Sequence, residues 1–316
     1  MGGPTPDVNP PPWRAVVGGI GVIAATSVAA WALAQPLNSL SATATRAAAD
    51  CAAIVTLGLA VVPLLDTGRY RGELSRSAAV PLAVGAAVWL LTELVRLVVV
   101  SAQTAALPAG TVGVATYIEF ITHTAAGRAG AVSAVAAAVV CGMAVAAPRT
   151  TAVTLATAGI AASGLAARTL AGHLAESPLG GVAVAVHALA AGLWCGALVG
   201  LLATVAHRGQ WARVLPRFST LALCCVGALV LAGLAGAMVT VGSPGDLITT
   251  GYGRLMTAKL LVTAALTALA WRNRSRWLPA ARGHRASAGL SRSRSLVELA
   301  VMTVALTLAA ALAVTG

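Results

Sequence analysis

Charge is scarce in this chain. Asp, Glu, Lys and Arg make up 9% of its 316 residues, where a soluble domain carries roughly a quarter. With so few charges an ordinary water-facing surface cannot be built. The motifs of nucleotide-driven and hydrolytic chemistry are missing as well. There is no GxxxxGK, no CxxC, no HExxH and no GxSxG, which removes the basis for ATP-driven pumping and for the common hydrolases. The chain is therefore expected not to be an enzyme. It has no Met-rich or His-rich tract, so a high-capacity metal store is excluded too. The five cysteines are odd in number and do not make a disulfide framework. Cys141, Cys195, Cys224 and Cys225 lie inside apolar runs and Cys51 near the start of one, where they read as small buried hydrophobes.

What fills the chain is apolar. Hydrophobic residues make up 58% and the mean hydropathy is +0.87, which excludes disorder. The apolar runs repeatedly reach the roughly 20 residues that cross a bilayer. The expected fold class is all-α, a polytopic transmembrane bundle of about nine helices over 14–34, 47–65, 78–100, 129–147, 150–167, 183–206, 218–241, 254–271 and 296–315. The run after Trp13-Arg14 is too long for a signal-peptide core and reads as a retained helix. Residues 1–12, with Pro4 to Pro12, read as a disordered leader. Within the connection 101–128, the segment from Val112 to His123 is expected to lie in the interface as a short helix.

The net charge of +12 suggests nucleic acid at first sight, but the arginines fall in short loops between apolar runs. That is the pattern of membrane topology, and no nucleic-acid partner is expected. With a cytoplasmic N-terminus, Arg14, three arginines in 69–76, Arg149, three in 208–217 and seven in 272–294 all fall inside. Arg46, Arg128, Arg168 and Arg254 then fall in or beside outer loops. The bias places the N-terminus in the cytoplasm and the C-terminus outside. His123, His173, Glu176 and His187 then stand at the outer face, and His207 and His284 in cytoplasmic loops.

Ionisable groups at membrane depth are functional candidates because the bilayer penalises them. Glu93 and Arg96 share a helix face three residues apart, as a structural ion pair or as the lining of an ion path. Lys259, about 7 Å inside its run at 1.5 Å per residue, either snorkels outward or lines the bundle. Glu298, one turn inside the last run, is expected to meet the Arg-rich loop. Gly192, Gly196 and Gly200 form a small-residue ridge for close helix packing. His187 and Trp194 share one face of the same helix.

From about 168 to 274 the sequence resembles the copper-resistance protein D (CopD) family of bacterial inner-membrane proteins. The likeness rests on Gly172-His173, on His187-Ala188-Leu189-Ala190 leading to Trp194-Cys195-Gly196, and on Arg217-Phe218-Ser219. It continues through Tyr252-Gly253-Arg254-Leu255 with Lys259, Asn273-Arg274 and Glu298. Ala197 stands where the family usually has Gly, and Cys195 where it usually has an aliphatic residue. The first 167 residues agree with the family only in helix arrangement. The expected organisation is an N-terminal bundle of about five helices over 13–167 and a CopD-like membrane domain of about four over 168–316. The Ala/Arg-rich, Lys-poor composition is similar to that of high-GC actinobacterial chains. There a CopD-like half is often fused to a cytochrome c oxidase assembly (CtaG-like) half, so the chain is either a stand-alone version or one half of such a fusion.

The resemblance implies copper handling at the inner membrane, either as ion transport or as delivery to a copper enzyme under assembly. The implied partners are copper ions, the lipid bilayer, and a periplasmic copper chaperone or the cytochrome c oxidase assembly machinery. Two other readings stay open. One is a b-type cytochrome with His173 and His187 or His123 as axial ligands, and the other is an assembly scaffold docking through its glycine ridges. For copper, the topology predicts a site near the outer surface formed by His173 and His187, because imidazole and thioether suit this metal. Met256, Glu176 and Met238 are candidates for the third ligand, with Met256 favoured for Cu(I). Binding is expected to weaken as pH falls through about 6, where imidazole takes up a proton.

Overall fold

Hydroxyl side chains set several of the helix starts. Ser39, Thr124, Thr150 and Thr250 each accept a hydrogen bond from a backbone N–H three residues on, at 2.9–3.3 Å, which satisfies donors that a first turn leaves free. Inside the helices, further threonines turn their hydroxyls back to the carbonyl four residues earlier, as at Thr56, Thr157 and Thr204. That keeps a polar group satisfied where no water reaches.

The computed structural model describes residues 12–35, 38–171, 178–240, 245–273, 275 and 288–315. The expected leader thus lies almost wholly outside the described residues. The elements are α1 (Pro12–Ala34), α2 (Leu40–Val61, prolonged by a 3-10 turn Val62–Leu65), α3 (Gly68–Thr104), α4 (Val114–His123) and α5 (Ala125–Ala146). They continue with α6 (Thr151–Thr169), α7 (Pro178–Thr204), α8 (Arg208–Thr240), a short α9 (Asp246–Thr249), α10 (Gly251–Arg272) and α11 (Ala288–Thr315). There is no strand among the described residues. The all-α polytopic bundle and the short α4 are as the sequence predicts.

Among the described residues, eight helices are long and apolar enough to cross a membrane. The expected span over 150–167 is not among them. It forms α6, whose 19 residues give the length, but whose threonines and Arg168 make it more polar than its neighbours. Several helices outrun their apolar cores. α3 has 37 residues, about 55 Å at 1.5 Å per residue, and α8 has 33. Apolar content marks where the bilayer is, whereas the backbone stays helical into the polar flank. Both carry a proline, Pro81 and Pro216, inside the helix.

The core is centred on α2 and α7. Gly196 meets the Ile54 carbonyl and the Gly58 backbone, Gly200 meets Val62 and Gly58, and Gly192 meets Leu165 and Ile54. The small-residue ridge is therefore a packing surface, and its partner on α2 is Gly58. Trp89, Leu57, Leu198 and Leu201 fill the space around this crossing. A second cluster joins α1, α10 and α11 through Ala30, Ala34, Leu255 and Leu308. The cysteines follow packing only in part: Cys195 and Cys225 are buried, Cys51 and Cys141 half-buried, and Cys224 is exposed on the face of α8.

Polar contacts fix the two ends of the bundle. At the C-terminal face Asn38 donates to the Thr315 hydroxyl at 2.8 Å, and Arg254 donates to the Leu33 carbonyl at 2.8 Å. At the opposite face buried Asp66 takes Arg213 at 3.2 and 3.3 Å, with that guanidinium over the Tyr70 ring. Gln210 donates to Glu73 at 3.0 Å. α8 leans on α7, while α10 leans on α11 and α1. Among the described residues α8 and α10 make no substantial contact with each other, so a cleft separates them.

Candidate functional site

Three helices bring charge to one buried point near the C-terminal face. The Glu93 carboxylate of α3 is fully buried. One of its oxygens meets Arg96 at 2.6 Å and the other meets Arg168 of α6 at 2.6 Å. Arg168 also pairs with Asp50 of α2 at 2.6 Å, and Asp50 lies 3.8 Å from Arg46. The expected Glu93–Arg96 pair is thus part of a five-membered chain of charges. Arg168, expected in or beside an outer loop, is only 6% exposed and stands in the last turn of α6, where the helix dipole favours a cation. Asp50 escaped notice although it lies inside an apolar run. Its spacing of four from Arg46 is the signal that could have found it.

Beside this chain opens a cavity of about 220 Å³, lined among others by Arg46, Asp50, Tyr252, Met256 and Lys259. A second cavity of about 110 Å³ shares Ala191, Lys259, Leu306 and Ala309 with the first and adds Trp194, Cys195 and Met302. A third, also about 110 Å³, shares Trp194, Val226 and Thr267 with the second and reaches Asn273 and Glu298. The first lies between α2, α6, α7, α10 and α11, and the second and third continue it down the cleft between α8 and α10, floored by α7 and α11. They lead from the C-terminal face toward the Asp66 face.

At the far end buried Glu298 accepts a 2.8 Å hydrogen bond from Asn273. The buried indole N–H of Trp194 has no hydrogen-bond partner and lies near the same carboxylate. Glu298 therefore meets Asn273, where α10 runs into the Arg-rich loop. The connection 276–287 lies outside the described residues.

Of the four expected copper ligands, Met256 lines the first cavity. His187 is half-buried on α7, reaches toward the Leu229 carbonyl of α8 and stands within electrostatic range of Lys259. His173 and Glu176 lie outside the described residues, as does His284, and the side chain of Met238 is likewise not described. His123 ends α4 and is exposed, and His207 is exposed before α8. Among the described residues no three His, Cys, Asp or Glu side chains stand together as a metal site.

The fold defines an all-helical, multi-pass membrane protein with neighbouring cavities between its helices. It belongs to the copper resistance protein D family. The family's Copper resistance protein D model matches residues 212–312, and the Copper resistance protein D-like, N-terminal domain model matches 34–182. The likeness therefore reaches far into the first half of the chain, where the sequence had shown agreement only in helix arrangement. Between the two matched segments lies most of α7, the helix that packs on both α2 and α8. The chain is accordingly a copper-resistance membrane protein. Neither a curated protein nor a solved structure matches it.

Proposed function

We propose that this protein carries copper ions across the bacterial inner membrane through the cleft bounded by α7, α8, α10 and α11. The observation that supports this most is the series of three cavities with shared walls, since a path for an ion needs continuity more than it needs any one ligand. Met256 offers a thioether in the first cavity, and His187 stands on the neighbouring helix. His173 and Glu176 complete the proposed entry site from the α6–α7 connection. A thioether and imidazoles hold copper without locking it in. Trp194 and Met302 line the middle of the cleft, and Glu298 with Asn273 offers oxygen ligands at the far end. No nucleotide-binding motif is present, so movement would follow a gradient.

The test is copper flux into proteoliposomes. Ala309 borders both the first and the second cavity, so Ala309→Trp should cut flux to the level of empty vesicles while leaving the protein monodisperse. Unchanged flux in that variant removes the cleft as the path. If copper binds but does not cross in wild type, the protein delivers copper rather than transporting it. Copper titration addresses the entry site. His173→Ala and His187→Ala should lose affinity together, by tenfold or more, on the order of 1.4 kcal/mol, with exposed His207→Ala as the unaffected control.

A further inference from the structure

Among the described residues, the walls of the first cavity carry more positive charge than the carboxylates beside them neutralise. Four cations surround or back it, Arg46, Arg96, Arg168 and Lys259. Two carboxylates, Asp50 and Glu93, face them. Glu93 is spent on Arg96 and Arg168, and Asp50 is spent on Arg168 with Arg46 at the longer 3.8 Å. Lys259 has no carboxylate within ion-pair distance among the described residues. An uncompensated charge at membrane depth is costly, and a cationic vestibule also opposes the entry of a metal cation.

The open volume of about 220 Å³ lies directly against Arg46 and Lys259, with the Tyr252 side chain on its wall. We propose that this cavity binds one small monovalent anion of the chloride class between Lys259 of α10 and Arg46 of α2. The anion offsets one of the two excess charges and cross-links α2 to α10, helices that make no substantial direct contact among the described residues. The proposal deepens the transport reading, because the cavity is the mouth of the cleft. Anion binding is nevertheless read with no copper present, so the two can fail separately.

The experiment uses the full-length protein in nonionic detergent, with chloride exchanged for a bulky organic anion at constant ionic strength. Thermal unfolding of wild type should shift upward by several degrees and saturate with chloride, and radiolabelled chloride should bind near one per chain. Lys259→Met should abolish both effects and still fold, because Lys259 has no ion pair to lose. Arg46→Gln should weaken chloride affinity at least tenfold. Adding anionic phosphatidylglycerol in the absence of chloride separates the two sources of the charge. A saturable, Lys259-dependent shift with that lipid alone assigns the same site to a headgroup phosphate. No shift with either anion, or a shift that Lys259→Met leaves intact, overturns the proposal and gives the balancing charge to a carboxylate of the chain.

Discussion

Arg168 joins α6 to α3 and α2 with one guanidinium, and the two carboxylates it meets have few alternatives. Removing Glu93 would leave Arg96 and part of Arg168 buried without a counter-charge, which costs about 3–5 kcal/mol at such sites. Glu93→Gln should therefore lower the unfolding temperature strongly. The double variant Glu93→Gln, Arg96→Met should recover part of the loss, because it removes a stranded charge together with its partner. Equal destabilisation by the single and the double change would mean that the network contributes packing rather than charge balance. At the far end, Asn273→Ala should leave Glu298 without its hydrogen bond, a loss of about 1.5–3 kcal/mol for a charged acceptor that thermal unfolding would register. The Glu93–Arg96 pair was legible because its spacing is local. Arg168 was not, since a residue at the edge of an apolar run looks like a loop residue until the helix ending there is seen to sit inside the bundle. Met256 could be placed on the cavity through its position near the start of its run, whereas nothing in the sequence spacing relates it to Arg46.

Among the elements, α2 and α7 come closest, and the approach depends on glycine at both sides. A methyl group at Gly196 would collide with the Ile54 carbonyl and the Gly58 backbone, which cannot move as a side-chain end can. Gly196→Ala should destabilise by roughly 1–3 kcal/mol as overpacking does, and Gly196→Leu by more. Gly227 on α8 has nothing within 4 Å of an added Cβ, so Gly227→Ala should be neutral or gain up to about 1 kcal/mol from helix propensity. The ratio of these two effects, measured by thermal unfolding, tests the crossing directly. The ridge on α7 was readable from its spacing of four, but its partner was not, because Gly58 stands alone among apolar residues. Helix existence was likewise readable from apolar length. Helix ends were not, since α3 and α8 continue for turns beyond the apolar stretch and are held there by contacts such as Asp66–Arg213 and Glu73–Gln210.

For the whole molecule, the distribution of arginine supports a proposal about orientation. A reporter placed in 273–287 should score as cytoplasmic and one fused after Gly316 as extracytoplasmic. Both reporters on one side would mean that α11 does not cross. An exchange of the two sides, with the N-terminus still cytoplasmic, would mean that α6, more polar than the helices on either side of it, does not cross. The composition made the class of protein plain, and the motifs of the second half led to the family. The cavities between the helices could not be read, because they depend on which helices fail to touch. Where α8 and α10 stand apart, the fourth side of the cleft is left to the bilayer. An acyl chain lying in that gap would be a wall the sequence does not encode. On the proposed transport reading, copper flux would then respond to the length and saturation of the surrounding lipids, with the membrane itself setting how tightly the cleft is closed.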